Sequence, residues 1–145
     1  MLSKALGAAK AHSQLLAWLV AVVATLASLS LSEIFDLTPC SLCWWQRIAM
    51  YPLVVILGIA YRRRLAEAWV YGLPLAVFGW VVALYHTLLQ WGWLPKASAF
   101  CSLDSPCATA QIDWLGWLTI PFGSLLSFTA VIILLWLSRQ RGGRG

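Results

Sequence analysis

Four cysteines, Cys40, Cys43, Cys101 and Cys107, are the residues here best suited to covalent chemistry. They fall into two natural pairs. Cys40 and Cys43 form a C-x2-C unit after Pro39, while five residues separate Cys101 from Cys107. Dithiols can hand electrons to one another by thiolate attack on a disulfide sulfur, through a mixed disulfide. Pro39 sets the entry to a helix whose first turn leaves N–H groups unpaired and carries the positive end of the dipole. Arg47 stands four residues after Cys43 and shares its face. Both effects predict a stabilised, reactive thiolate at Cys43. The Cys101–Cys107 segment, with Asp104, Ser105 and Pro106, reads as a small solvent-side loop that another protein can reach.

The elements that must position these residues follow from composition. The chain has 145 residues, 61% apolar and only 10% charged, against about 25% charged in an ordinary soluble domain. That leaves too little polar surface to cover a soluble core of this size, and it excludes disorder. A membrane-crossing helix needs about 20 largely apolar residues. Four charge-poor stretches meet this, predicting helices over 13–32, 44–61, 68–91 and 117–138, with loops over 33–43 and 92–116. The expected fold is all-α, a four-transmembrane-helix bundle forming one integral membrane domain. The first run has a basic start, Lys4 and Lys10, like a signal peptide, but it is long for one and three more spans follow. Pro52, Pro74 and Pro121 interrupt apolar runs and read as bends, which spanning helices tolerate.

Orientation follows the Lys/Arg bias of short loops. Lys4 and Lys10, Arg62 to Arg64, and Arg139, Arg141 and Arg144 flank one side, whereas Arg47 and Lys96 are the bases of the other. Both termini are therefore expected in the cytoplasm, and both cysteine loops outside it, in a bacterial cytoplasmic (inner) membrane. The net charge of +5 is thus topological and implies no nucleic-acid partner. Trp44, Trp45, Trp91, Trp93, Trp114 and Trp117 gather at one interface, and Trp69 and Trp136 mark the other, as belt anchors.

Outside the cytoplasm thiols meet an oxidising environment, and three readings compete. Two disulfides could merely staple loops, but a three-residue separation closes too small a ring to add much. A zinc site of four thiolates would need a second C-x2-C half-site, which is missing, so no metal is expected. The third reading is a redox relay between the loops, ending on an oxidant. The sequence carries no haem, flavin or iron–sulfur motif. A lipid-soluble acceptor needs none, asking for an apolar cleft and one or two polar groups. Arg47 lies about 3–5 Å beyond Trp44 and Trp45 along its helix, and His86 about 7–8 Å inside Trp91, so both reach similar outer depths. Ionisable residues within spans are costly and usually functional. The bland alternatives are a snorkelling Arg47 and an interfacial His86 satisfied by a neighbouring helix; Gln90 shares the face of His86.

The run Pro39-Cys40-Ser41-Leu42-Cys43-Trp44-Trp45-Gln46-Arg47-Ile48-Ala49-Met50-Tyr51-Pro52 resembles the disulfide bond formation proteins of the DsbB type, particularly their short BdbC-like branch. The likeness extends through Tyr85 to Gln90, resumes from Cys101 to Cys107, and continues across Ile112 to Trp114 and Ile120 to Phe122. The resemblance implies a four-helix membrane oxidase that makes disulfides with a quinone (ubiquinone or menaquinone) and passes them to a DsbA-like thioredoxin-fold oxidase. By position, Cys101 resembles the cysteine attacked by the partner, and Cys107 its resolving neighbour, able to exchange with Cys40. Cys43 resembles the cysteine that contacts quinone, and Arg47 the arginine that holds it, with a quinone role for His86 implied less directly. The third loop departs from the better-known members, which have a longer segment between its cysteines. A vitamin-K-epoxide-reductase-like oxidoreductase and a non-enzymatic disulfide-stapled scaffold are the alternatives; the Cys-Trp-Trp-Gln-Arg continuation favours the first reading over its enzymatic rival. Within-loop and between-loop pairing both stay open.

Overall fold

The computed structural model describes residues 2–65, 67–94, 113–114 and 118–142. Four long helices dominate: α1 (Leu2–Glu33), α2 (Ser41–Arg63), α3 (Ala68–Gln90) and α4 (Ile120–Gly142). At 1.5 Å per residue, the 23 residues of each of α2, α3 and α4 cover about 34 Å, enough for the hydrocarbon layer of about 30 Å. All four contain a stretch long and apolar enough to cross a membrane, that of α1 being His12–Glu33.

Three helix starts differ from those read off the charges. The first helix starts at Leu2 instead of residue 13, because Ala5, Ala8, Ala9 and Ala11 have strong helix propensity whether or not lipid surrounds them. The second starts at Ser41 instead of 44, because its N-cap is Cys40, whose extended backbone (φ −74°, ψ 170°) turns the chain into the helix. It stops where Arg64 adopts the left-handed conformation, φ 53°. The fourth begins at Ile120 instead of 117. Ahead of it, β1 (Asp113–Trp114) pairs antiparallel with β2 (Leu118–Thr119), a short bridge that the all-α expectation did not contain. Pro121 is consequently the second residue of α4 and helps begin the helix, so it is no mid-span bend. Pro52 and Pro74 do lie inside α2 and α3.

Each helix packs against two neighbours: α1 on α2 and α4, and α3 on α2 and α4. Small residues line the seams, with Ala17, Ala21, Ala49, Ala76 and Ala83 buried around Leu53, Leu57, Phe128, Val131 and Leu135. Lipid tails are as apolar as leucine, so helices in a bilayer associate by close packing, which small side chains allow. Gly79 of α3 is the tightest case. A Cβ there would overlap the Phe128 ring of α4. The outer surface is apolar, with Val23, Leu26, Val55, Ile59, Val81 and Ile133 exposed, as a lipid-facing surface requires.

Two contacts fix which ends lie together. Gln14 of α1 donates from Nε2 to the Leu65 carbonyl between α2 and α3, at 2.9 Å. Arg139 near the end of α4 stacks on Trp69 at the start of α3 and on its own helix's Trp136, 4.6 and 5.0 Å from the ring centroids. The start of the α1 span, the α2–α3 turn and the end of α4 therefore share one end of the bundle. Cys40 and Cys43, at the other end of α2, lie at the opposite end.

Candidate redox centre

Cys40 caps α2 with its own sulfur, which accepts the Cys43 amide N–H at 3.4 Å. This folds Cys43 back over Cys40, leaving the two sulfurs 2.9 Å apart as free thiols. The C-x2-C spacing at a helix start is what permits it, since one helical turn returns residue 43 to the side of residue 40.

A third group arrives from α3. The imidazole of His86, 1% exposed, places Nε2 3.7 Å from Cys40 Sγ and Nδ1 3.0 Å from the Gln46 side-chain amide of α2. Cys40 thus has hydrogen-bonding partners on two sides. The hydrogen bond with Cys43 and then the neighbouring His86 draw the Cys40 thiol from an ordinary 9 down to about 4, against the opposing effect of burial. This corrects the expectation that Cys43 is the favoured thiolate. Helix position and Arg47 were visible in the sequence, but which sulfur meets the imidazole depends on how α3 packs against α2.

Arg47 turns the other way, toward α1. Its Nε donates to Ser28 Oγ at 2.9 Å and its Nη2 to the Ser28 carbonyl at 2.8 Å, with a further bond to Ser32 Oγ. The guanidinium also lies 5.5 Å from the Trp44 ring centroid, and Arg47 as a whole is 9% exposed. Held by α1, it does not simply snorkel. It borders a cavity of about 600 Å³ between α1, α2 and the start of α4, within the range of small-molecule sites. Leu16, Val20 and Val23 supply apolar wall, while Cys43, Gln46 and Arg47 supply the polar edge.

Of the residues singled out in the sequence, Cys40, Cys43, Arg47 and His86 converge on this end of the bundle. They do not all share one chamber. Cys43 and Arg47 line the cavity; His86 is not among its lining residues and sits beyond Cys40. Cys101 and Cys107 lie outside the described residues. The sequence reading missed Gln46, which joins the imidazole to α2, and Ser28 and Ser32, which anchor Arg47. Two hydroxyls four residues apart on an otherwise apolar span were the available signal. The Cys40 and Cys43 sulfurs and a His86 ring nitrogen also lie within 4.8 Å of one another, close enough to hold a metal ion.

Comparison with known proteins meets this geometry. The family model described as disulfide bond formation protein DsbB matches residues 10–138. The chain belongs to the DsbB family. It is 43% identical over 122 residues to disulfide bond formation protein C of Bacillus subtilis, covering 83% of this chain and 87% of that protein. It is 41% identical over 128 residues to a probable disulfide formation protein of Metapseudomonas resinovorans, covering 88% and 89%. A probable disulfide formation protein C of Halalkalibacterium halodurans is 44% identical over 118 residues, covering 81% and 83%. No solved structure matches the chain significantly. Membership makes this chain a multi-pass membrane protein of the disulfide bond formation family, whose general chemistry is thiol–disulfide oxidation.

Proposed function

We propose that the chain generates disulfides de novo, taking electrons from a reduced DsbA-like thioredoxin-fold partner and delivering them to quinone through its two cysteine pairs. The observation that carries this reading is the position of Cys43, whose sulfur stands 2.9 Å from that of Cys40 while the residue lines an apolar cavity beside Arg47. One sulfur therefore has an exchange partner on one side and a lipid-type binding space on the other.

The cavity fits a quinone in size, apolar wall and a cationic edge for a carbonyl oxygen, with Arg47 and Cys43 as the residues that would hold its head. A quinone supplies a two-electron, two-proton acceptor, matching what one dithiol releases on becoming a disulfide. The chain's own groups divide the remaining work. Partner thiolate attacks Cys101 and releases Cys107, and Cys107 then exchanges with Cys40. Attack on Cys40 forms an interloop disulfide and releases Cys43 as the thiolate at the cavity. The partner's second thiol then frees Cys101, which retakes Cys107 and expels Cys40 as a thiolate beside His86, where its charge is stabilised. A lower thiol pKa makes the better leaving group. Cys40 and Cys43 close into their disulfide again as two electrons leave from Cys43, and Arg47 stabilises negative charge developing on an oxygen at the cavity edge.

The Lys/Arg distribution supports placing both termini in the cytoplasm of a bacterial inner membrane, with the cysteine loops outside. Reduced thioredoxin-fold partner and a soluble quinone analogue, mixed with the purified chain, should show quinone loss together with partner oxidation, one for one. A chain that serves only as a stapled scaffold would leave both unchanged.

A further inference from the structure

We propose that the reduced protein holds one zinc-type divalent cation on Cys40, Cys43 and His86, and that this ion blocks disulfide formation while it is bound. It differs from the four-thiolate site dismissed on sequence grounds, because the third ligand comes from α3. It also stands apart from the quinone reading, since it concerns the dithiol state of this pair whatever the terminal oxidant.

Three observations carry it. The first is distance. A tetrahedral zinc ion with bonds of about 2.3 Å to sulfur and about 2.0–2.1 Å to nitrogen needs ligand atoms about 3.5–3.8 Å apart. Cys40 Sγ and His86 Nε2 are already 3.7 Å apart, and all three donors lie within 4.8 Å. The two sulfurs, at 2.9 Å, need to part by less than 1 Å, which rotation of either thiol about its Cα–Cβ bond supplies.

The second is the outer support of the imidazole. A metal-bound histidine is normally held through its other ring nitrogen, and Gln46 occupies that place at 3.0 Å from Nδ1. A primary amide serves either ring tautomer. With its N–H toward Nδ1, the ring keeps a proton on Nε2 and donates it to the Cys40 sulfur. Turned over, its carbonyl accepts from Nδ1 and leaves the Nε2 lone pair facing the two sulfurs. The same residue thus supports both the redox arrangement and the ligating one.

The third is charge. His86 is 1% and Cys40 7% exposed, and uncompensated charge in such surroundings is expensive. Two thiolates and a neutral imidazole exactly balance a divalent ion, whereas a monovalent one would leave a net negative charge. Binding displaces into solvent whatever protons the two sulfurs still carry and moves no electrons. Both sulfurs become metal-bound thiolates, so neither is free for exchange until the ion departs.

The test uses the reduced full chain in detergent with Cys101→Ser and Cys107→Ser, titrated with Cd²⁺ as a spectroscopic stand-in and followed by thiolate-to-metal absorption in the ultraviolet. The expected result is saturation at one ion per chain, displacement by Zn²⁺, loss of the saturable band in Cys43→Ser, and affinity at least tenfold weaker in His86→Asn. A second variant, His86→Cys, keeps a soft donor and should restore tight binding with a band enlarged by the third thiolate. Unaltered affinity in His86→Asn would show a simple dithiol chelate and overturn the proposal, as would a wild-type pair that takes up no Cd²⁺ saturably.

Discussion

His86 reaches from α3 to set its Nε2 3.7 Å from the sulfur of Cys40, the cysteine that begins α2. This relationship separates the labour of the two cysteines: Cys40 has the imidazole, and Cys43 has the cavity with Arg47.

The ultraviolet absorption of thiolate should follow that separation. In the reduced chain carrying Cys101→Ser and Cys107→Ser, under chelator, thiolate absorption should persist as pH falls and disappear near pH 4. The sign follows from a lowered pKa: the charged form survives at acidity where an ordinary thiol, of pKa about 8.5, is protonated. His86→Ala should move the transition upward. An identical midpoint in the two proteins would remove His86 from the account.

Cys43→Ser should abolish quinone reduction while leaving Cys101 able to trap a reduced thioredoxin-fold partner as a mixed disulfide. Non-reducing electrophoresis and quinone absorbance measure the two halves separately. Retained turnover in this variant would reassign the cavity-side role.

Arg47→Ala should raise KM for quinone by roughly tenfold or more with a smaller change in kcat, as expected for loss of a charged hydrogen bond of about 1.5–3 kcal/mol. Ser28→Ala removes one anchor of the guanidinium and exposes no new charge, so its effect should run in the same direction and be smaller. Equal KM values across the three proteins would reduce Arg47 to a membrane anchor.

Gly79→Ala should lower stability by about 1–3 kcal/mol through overpacking, since the added Cβ overlaps the Phe128 ring. Thermal unfolding in detergent measures this. Pairing it with Phe128→Leu should recover part of the loss, whereas an unperturbed melting temperature in the single variant would mean that the α3–α4 seam yields easily.

Much of the architecture could be read from the gaps between charges, because a bilayer demands long apolar helices and the chain has four such stretches. The ends were harder. Alanine carried α1 back to Leu2, and Pro121 began α4 where an interrupted apolar run had suggested a bend. At the site, the sequence showed that Cys43 and Arg47 share a face and that Arg47 and His86 reach similar depths. Depth along a helix axis says nothing about rotation around it. The partnership of His86 with Cys40 and Gln46, and that of Arg47 with Ser28 and Ser32, are matters of how helices face one another, and they became visible only in the assembled bundle.

The sulfur that closes the N-terminus of α2 is, in the proposed relay, also a reacting atom. Once Cys40 is tied into a disulfide, its sulfur is a poorer acceptor, and the amide of Cys43 loses the bond that helped wind the opening turn. Each catalytic cycle therefore loosens and retightens the mouth of this helix. Backbone amide exchange at residue 43 becomes a gauge of oxidation state, legible without any chromophore.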